Sequence, residues 1–388
     1  MEKILAVVGM ALIVFVAYLF SNNKKEIPWK SVGIAFVGQL ALALLLIKTP
    51  LWKGVEIVSN GVTWLLNQAT TGIDFVFGGV SSDFVFFINS LLPIVFISSV
   101  IGVLFHFNVL QKFINFVGKW VARVLQVDTL VAVNGVSNML LGQTESLFMT
   151  KSYLPSAKDS VIFATLVGGM TSISASVVGL YTGYGASMEW ILISMPLTVF
   201  STFVLTQIIM PTKYEGDVVE VDGDKGVNFI ETMMNYGMAG FKSVVGISVA
   251  LMVFLSAVGM VNNFLAIFNP SITLESILGF FFLPVAWLMG VGGDEVRIVA
   301  EILATKLVTN EAVAFAMPQY QMLSANAKAM MTTVLCGFAG LGSIGILIGG
   351  YTAVAPNKVN VVAKLGVKAL IVATFVNILT GAVVGLML

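Results

Sequence analysis

Two short polar clusters interrupt apolar stretches of the sequence and carry most of the chemistry that the chain could perform. The first is Asn138 followed by residues 142–145, Gly-Gln-Thr-Glu, and the second is residues 292–297, Gly-Gly-Asp-Glu-Val-Arg. In each, an apolar run leads to a glycine turn that carries a carboxylate, and a second apolar run follows. Ionisable groups in apolar surroundings are rare and usually functional. Amides and carboxylates placed there can bind a cation or the polar groups of a small molecule.

Each cluster is followed by a segment rich in glycine and serine and free of charge, at residues 168–179 and 336–350. Each glycine weakens a helix by roughly 1 kcal/mol relative to alanine, and an unwound helix exposes carbonyl oxygens. Taken singly, either segment could equally be a surface of small residues for helix packing. The same order occurs twice, on either side of an acidic stretch. This repetition predicts two opposed re-entrant hairpins in an inverted repeat, which is typical of secondary transporters.

The composition decides the environment in which these clusters lie. Of 388 residues, 58% are hydrophobic and only 10% are charged, and the mean hydropathy is +0.98. A soluble domain has roughly 25% charged residues, so this chain could not cover a water-facing surface. A soluble enzyme and a nucleic-acid-binding protein are therefore excluded. The 20 basic and 20 acidic residues balance, so the net charge says nothing about a partner. The partner that the apolar composition indicates is the lipid bilayer.

Redox and metal cofactors lack the residues that they would need. Cys336 is the single cysteine and His106 the single histidine of the sequence, which excludes an internal disulfide and a cluster of cysteine or histidine metal ligands. We therefore predict no cofactor, and we assign Cys336 and His106 to packing. The predicted fold class is an all-α polytopic membrane protein with about eight transmembrane helices, two opposed re-entrant helical hairpins and interfacial helices.

Apolar runs long enough to cross a bilayer define the predicted spans. They lie at residues 3–21, 31–49, 85–108, 160–184, 189–211, 238–268, 328–355 and 364–388. Shorter apolar pieces at 54–79, 109–126, 130–152 and 275–315 indicate interfacial or re-entrant helices. With eight crossings, the loops rich in Lys and Arg fall on one side, which the positive-inside rule makes cytoplasmic. This predicts a multi-pass protein of the plasma (inner) membrane with both termini outside.

The same features divide the chain into five predicted parts. They are N-terminal scaffold helices at 1–126, a first repeat at 127–211, a flexible acidic cytoplasmic linker at 212–226, a long scaffold helix at 227–270 and a second repeat at 271–388.

Several motifs in matching order resemble the concentrative nucleoside transporter family. Residues 142–145, Gly-Gln-Thr-Glu, match the motif of its first hairpin. Lys306 followed by Asn310 and Glu311 is similar to its second motif, with Ala312 where phenylalanine is usual. Residues 336–339, Cys-Gly-Phe-Ala, and 343–345, Ser-Ile-Gly, match its second broken helix. The resemblance extends over essentially the whole chain.

The resemblance implies a homotrimer that takes up nucleosides by symport with Na⁺ or H⁺. It implies substrate contacts from Gln143, Thr144, Glu145, Val177, Glu295, Phe338 and Ser343, with Gly142, Asp294 and Gly340 adjacent. It also implies a Na⁺ site at Asn138, Leu141, Ser172 and Ile173. Lys306, Asn310 and Glu311 are expected to brace the second hairpin, with direct contact to the ligand as the alternative.

Two departures from the family pattern concern the sugar. Gly340 stands where an asparagine that helps to bind the sugar is usual, and Asp294 stands where Asn or Ser is common. Asn138 and Ser172 favour Na⁺ as the coupling ion, whereas Asp294 and Glu295 keep a proton-coupled symporter open because neighbouring carboxylates raise each other's pKa. The alternatives of another class are a membrane-embedded enzyme that uses Glu145 and Glu295, and a passive channel. The sequence offers no nucleophile–base pair for an enzyme, so we predict a transporter.

Overall fold

The fold of the chain is all-helical. The computed structural model describes residues 2–79, 85–214, 216, 219, 221, 225–270 and 272–388. Its α-helices are α1 Glu2–Leu19, α2 Trp29–Lys48, α3 Trp52–Phe77, α4 Pro93–His106, α5 Val109–Leu125, α6 Thr129–Leu141, α7 Gln143–Met149, α8 Asp159–Thr171, α9 Val178–Gly183, α10 Met188–Ile209, α11 Phe229–Ala266, α12 Leu274–Leu288, α13 Glu295–Val308, α14 Glu311–Ala316, α15 Pro318–Met322, α16 Ala325–Leu335, α17 Leu341–Val354 and α18 Val359–Met387.

Seven helical segments within the described ranges are long and apolar enough to cross a membrane. They correspond to seven of the eight predicted spans. The remaining one, predicted at 328–355, is divided into α16 and α17 by a non-helical break at residues 336–340. The predicted all-α membrane fold is confirmed, and this break lies in the segment where we expected an unwound helix.

The chain contains two halves with the same order of elements. In the first half, the hairpin α6–α7 precedes the broken helix α8–α9 and the long helix α10. In the second half, the hairpin α13–α14 precedes the broken helix α16–α17 and the long helix α18. The long helix of each half packs against the broken helix of the other, α18 on α8 and α10 on α16. The most buried part of the molecule is therefore where the two halves interlock.

The second hairpin does not turn where we expected. The predicted tip at residues 292–295 is the connection between α12 and α13, which pack side by side. The break that corresponds to Gly142 lies at Thr309–Asn310, between α13 and α14. The two glycines of 292–293 suggested a tip, but the helix that follows them continues to Val308 and only then breaks.

The acidic stretch between the halves lies partly outside the described residues, as 215, 217, 218, 220 and 222–224 are not among them. Within its described part, Val219 and Val221 are buried. The backbone N–H of Val221 also donates to Oδ1 of Asn115 on α5 at 3.2 Å. At these two positions the stretch packs against the helical body, so the prediction of a free linker is wrong there.

Candidate functional site

The first hairpin places three polar side chains at the start of its short second helix, α7. Asp128 caps α6 by accepting from the backbone N–H of Leu130 at 2.8 Å. Gly142 then ends α6 with a φ of +98°, a conformation that favours glycine because side chains with a Cβ are strained there. A Cβ at Gly142 would also lie 3.0 Å from Cβ of Ser174. This tight turn brings Gln143, Thr144 and Glu145 of α7 beside the break of the next helix.

The break after α8 faces a buried asparagine of α6. Nδ2 of Asn138 donates to Oγ of Ser172 at 2.8 Å and also to the backbone oxygen of Gly168. Its Oδ1 is buried and has no hydrogen-bond partner in the described part of the chain. Buried polar atoms are nearly always satisfied, so this oxygen is a candidate ligand for a bound ion. Leu141 and Ile173, the other predicted members of this cluster, are also buried.

A small cavity adjoins this cluster. It measures about 10 Å³ and is lined by Gly168, Thr171 and Ser172 among others. That volume accommodates about one water-sized particle. The rest of its lining is Thr202 and apolar residues of α6, α8 and α10, and Asn138 is not part of it, so the cavity adjoins the cluster without containing the amide oxygen.

The second hairpin presents Glu311 at the start of α14. Asn310 precedes it with extended backbone, and its Oδ1 accepts from the backbone N–H of Val313 at 2.9 Å, which caps α14. Oε1 of Glu311 accepts from the hydroxyl of Tyr181 at 2.9 Å. Because Tyr181 belongs to α9, this hydrogen bond joins the second hairpin to the first broken helix.

The second break presents Phe338 and a face of small residues. Oγ of Ser343 donates to the backbone oxygen of Phe338, which holds the break in place. Gly340 approaches the second hairpin so closely that a Cβ there would lie 3.3 Å from the backbone oxygen of Lys306. The break thus offers an aromatic ring and small residues rather than further charge.

The two hairpin tips and the two breaks enclose a common cavity of about 500 Å³. This is within the range of sites for small organic molecules. One wall comes from α11, which contributes Ser243, Gly246, Ile247 and Phe254. The predicted substrate residues that line the cavity are Gln143, Thr144, Glu145, Val177, Phe338 and Ser343, together with Gly142 and Gly340. Oε1 of Gln143 is buried and unpaired in the described part of the chain, so it is available to a donor.

The structure does not bring Glu295 or Asp294 to this cavity. Both oxygens of the Glu295 carboxylate accept from Ser324, one from its backbone N–H and the other from its hydroxyl. Ser324 is the N-cap of α16, so Glu295 ties α13 to the start of that helix. Asp294 is exposed. The sugar-binding role that we expected of Glu295 has no geometric support here.

The three residues expected to brace the second hairpin are divided between bracing and lining. Lys306 is buried, and its ammonium donates to the backbone oxygen of Val334 and to Oδ1 of Asn377, the latter at 3.0 Å. Asn310 and Glu311 line the cavity. Glu311 therefore occupies the position that we assigned to Glu295.

Sequence reasoning missed Tyr181, Asn377 and the wall from α11. Tyr181 lies four residues after Val177, one helical turn along the same chain segment, which was a usable signal. Asn377 is a lone amide within the last apolar span, and intramembrane amides usually bond to another helix. The α11 residues carried no recognisable signal, because they lie within a uniformly apolar run.

The fold and the site together define a polytopic membrane transporter with two matched halves and one central cavity. A family model described as the N-terminus of Na⁺-dependent nucleoside transporters matches residues 8–80, and one described as the C-terminus matches residues 190–385. The chain belongs to the concentrative nucleoside transporter family.

Individual relatives agree with this placement over their full length. An uncharacterised transporter of Haemophilus influenzae is 30% identical, over 100% of this chain and 98% of the relative. The nucleoside permease NupC of Helicobacter pylori is 28% identical, over 99% and 98% respectively. The solved structure of CNTnw in an inward-facing substrate-bound state superposes with a TM-score of 0.94 at 28% identity, covering 100% of this chain and 98% of that one.

Membership of this family settles the class of activity. The protein is a membrane nucleoside transporter, and the members of its family are transporters rather than enzymes. The prediction of transport is confirmed, and the alternative of a membrane-embedded enzyme is excluded.

Proposed function

We propose that the protein imports nucleosides by symport with Na⁺, as a homotrimer in the plasma (inner) membrane. The single observation that carries the proposal is the cavity of about 500 Å³ that receives a carboxylate from each hairpin, Glu145 and Glu311. In this proposal the two hairpins enter the membrane from opposite faces, and their tips meet at the central cavity. Each hairpin can then close the cavity toward its own side of the membrane in turn.

The polar groups around the cavity match the two parts of a nucleoside. Gln143, Thr144 and Glu145 can pair with the donors and acceptors of a nucleobase, and Val177 and Phe338 can pack against its faces. Glu311 replaces Glu295 in our assignment as the acceptor for sugar hydroxyls, because it lines the cavity and its Oε1 already accepts from the Tyr181 hydroxyl.

The coupling ion would bind beside the first hairpin tip. Oδ1 of Asn138, Oγ of Ser172 and the backbone oxygens of Leu141, Ser172 and Ile173 form the proposed ligand set. A cation there would offset the cost of the nearby Glu145 carboxylate and would hold the first hairpin in shape for the nucleobase. Each ligand would then raise the affinity of the other, as linkage requires.

Uptake into proteoliposomes tests the proposal. Labelled uridine is presented with an inward Na⁺ gradient, with an equal choline gradient, or with an inward proton gradient in choline. We expect uridine to accumulate above its external concentration only when the Na⁺ gradient is present. Accumulation that follows the proton gradient and ignores Na⁺ would replace Na⁺ by H⁺. Equilibration without accumulation in every gradient would contradict symport itself.

A further inference from the structure

Asn377 on α18 is fully buried, and its amide is hydrogen-bonded at both ends. Its Nδ2 donates to the backbone oxygen of Thr171 at 2.8 Å, and its Oδ1 accepts from the ammonium of Lys306 at 3.0 Å. Thr171 is the last residue of α8, directly before Ser172, and Lys306 is in the last turn of α13. One side chain therefore joins the proposed ion site of the first half to the hairpin of the second.

The bond to Thr171 acts on the ion site through the backbone. Carbonyl groups in the last turn of a helix have no partner within that helix, and a buried one needs a partner from elsewhere. By holding this carbonyl, Asn377 fixes the peptide plane between Thr171 and Ser172. The orientation of that plane sets the position of Ser172, whose hydroxyl lies 2.8 Å from Nδ2 of Asn138.

The bond to Lys306 acts on the nucleoside site through charge. Lys306 and Glu311 carry opposite charges on the two arms of the same hairpin. Glu311 lines the cavity, whereas the Lys306 ammonium is held between Asn377 and the backbone oxygen of Val334. A displacement of Asn377 would therefore move the positive charge of the hairpin that also carries Glu311.

The second break packs directly on this connection. A Cβ at Gly337 would lie 2.5 Å from Oδ1 of Asn377 and 2.6 Å from both its Nδ2 and the backbone oxygen of Thr171. Such distances are too short for any side chain, so glycine alone fits at this position. The neighbouring Phe338 lines the cavity, so the segment that packs against this amide also carries a third part of the nucleoside site.

We propose that Asn377 is a positioning residue that couples the ion site to the nucleoside site. An ion that orders Ser172 also orders Thr171, Asn377 and Lys306, and so prepares the second hairpin for the sugar. This inference rests on the proposed function, since it names the route by which Na⁺ and nucleoside favour each other.

The test is the ratio of uridine dissociation constants without and with saturating Na⁺, measured on the purified full-length protein. For the unmodified protein we expect this ratio to lie within the usual range of about 5–150. In Asn377→Leu the ratio should fall to about two or less. The matched control is Thr380→Val, one turn along α18, whose hydroxyl bonds Ser201 at 2.9 Å. It removes a buried hydrogen bond from the same helix and should keep the original ratio.

The outcomes separate the two proposals. An unmodified protein whose uridine affinity ignores Na⁺ contradicts the proposed function. A Na⁺-sensitive protein whose ratio survives in Asn377→Leu overturns the role of Asn377 alone, because a merely structural residue changes both constants together. Asn377→Asp repeats the test if Asn377→Leu fails to assemble. It keeps the shape of the side chain and the acceptor for Lys306 but loses the Nδ2 donor to Thr171, and an unchanged ratio there has the same meaning.

Discussion

The two hairpins have the same architecture but satisfy their buried polar groups differently. At the first, Asn138 reaches the end of α8, and its Oδ1 has no hydrogen-bond partner among the residues that the structure describes. At the second, Lys306 reaches the backbone oxygen of Val334 near the end of α16 and donates to Asn377. The first half thus has an oxygen cluster that lacks a positive charge, whereas the second carries its positive charge on a side chain. This difference explains why one proposed ion site, rather than two, follows from a duplicated fold.

The largest expected effect separates the two carboxylates of the second half. Glu311→Gln should lower uridine uptake about 10- to 100-fold, because a neutral amide replaces the carboxylate that we assign to the sugar hydroxyls. A hydrogen bond to a charged group contributes about 1.5–3 kcal/mol, and each 1.4 kcal/mol is a factor of ten. Initial uptake rates in proteoliposomes measure the effect, with the amount of inserted protein held equal.

Glu295→Gln is the matched control for this comparison. Its carboxylate bonds Ser324 outside the cavity, and the amide keeps one acceptor, so uptake should stay within about threefold of the original, since one hydrogen bond contributes about 0.5–1.5 kcal/mol. Strong loss in Glu295→Gln together with near-normal uptake in Glu311→Gln would return the sugar-binding role to Glu295.

An intermediate effect is expected at the proposed ion site. Asn138→Leu removes the unpaired oxygen and should raise the Na⁺ concentration for half-maximal uptake at least about tenfold, which corresponds to about 1.4 kcal/mol of lost ion binding. The maximal rate at saturating Na⁺ should change less, since the cavity residues are untouched. The Na⁺ dependence of uptake at fixed uridine gives both values.

Ser137→Ala provides the control one residue away. Among the described residues, the hydroxyl of Ser137 bonds solely the backbone oxygen of Val133 in its own helix, at 2.8 Å, so its removal should leave the Na⁺ dependence unchanged. Equal shifts in both variants would mean that α6 was disturbed in general and would contradict an ion site at Asn138.

The same two regions show what could be predicted from the sequence. The first hairpin was predictable because its glycine, its polar residues and its break stand together within residues 138–145. The second was misplaced because residues 292–293 offer two glycines and a carboxylate, whereas the true break at Thr309–Asn310 contains no glycine. There α13 ends before Thr309, and Asn310, with extended backbone, caps the start of α14. The pairing of Glu311 with Tyr181 depends on how the halves interlock, and residues 130 positions apart give no local signal of it.

The smallest expected effect concerns the sugar end of the cavity, where the second break has Gly340. Gly340→Asn adds an amide that could bond a ribose hydroxyl, but its Cβ must fit 3.3 Å from the backbone oxygen of Lys306 and 3.4 Å from that of Thr309. Gly340→Ala introduces the same crowding without the amide, so the comparison of the two variants isolates the hydrogen bond. One net hydrogen bond contributes about 1 kcal/mol. We therefore expect Gly340→Asn to favour uridine over deoxyuridine about three- to fivefold more than Gly340→Ala does, measured as the ratio of their uptake efficiencies. Equal ratios in the two variants would show that the sugar does not reach Gly340 and would confine its recognition to Glu311.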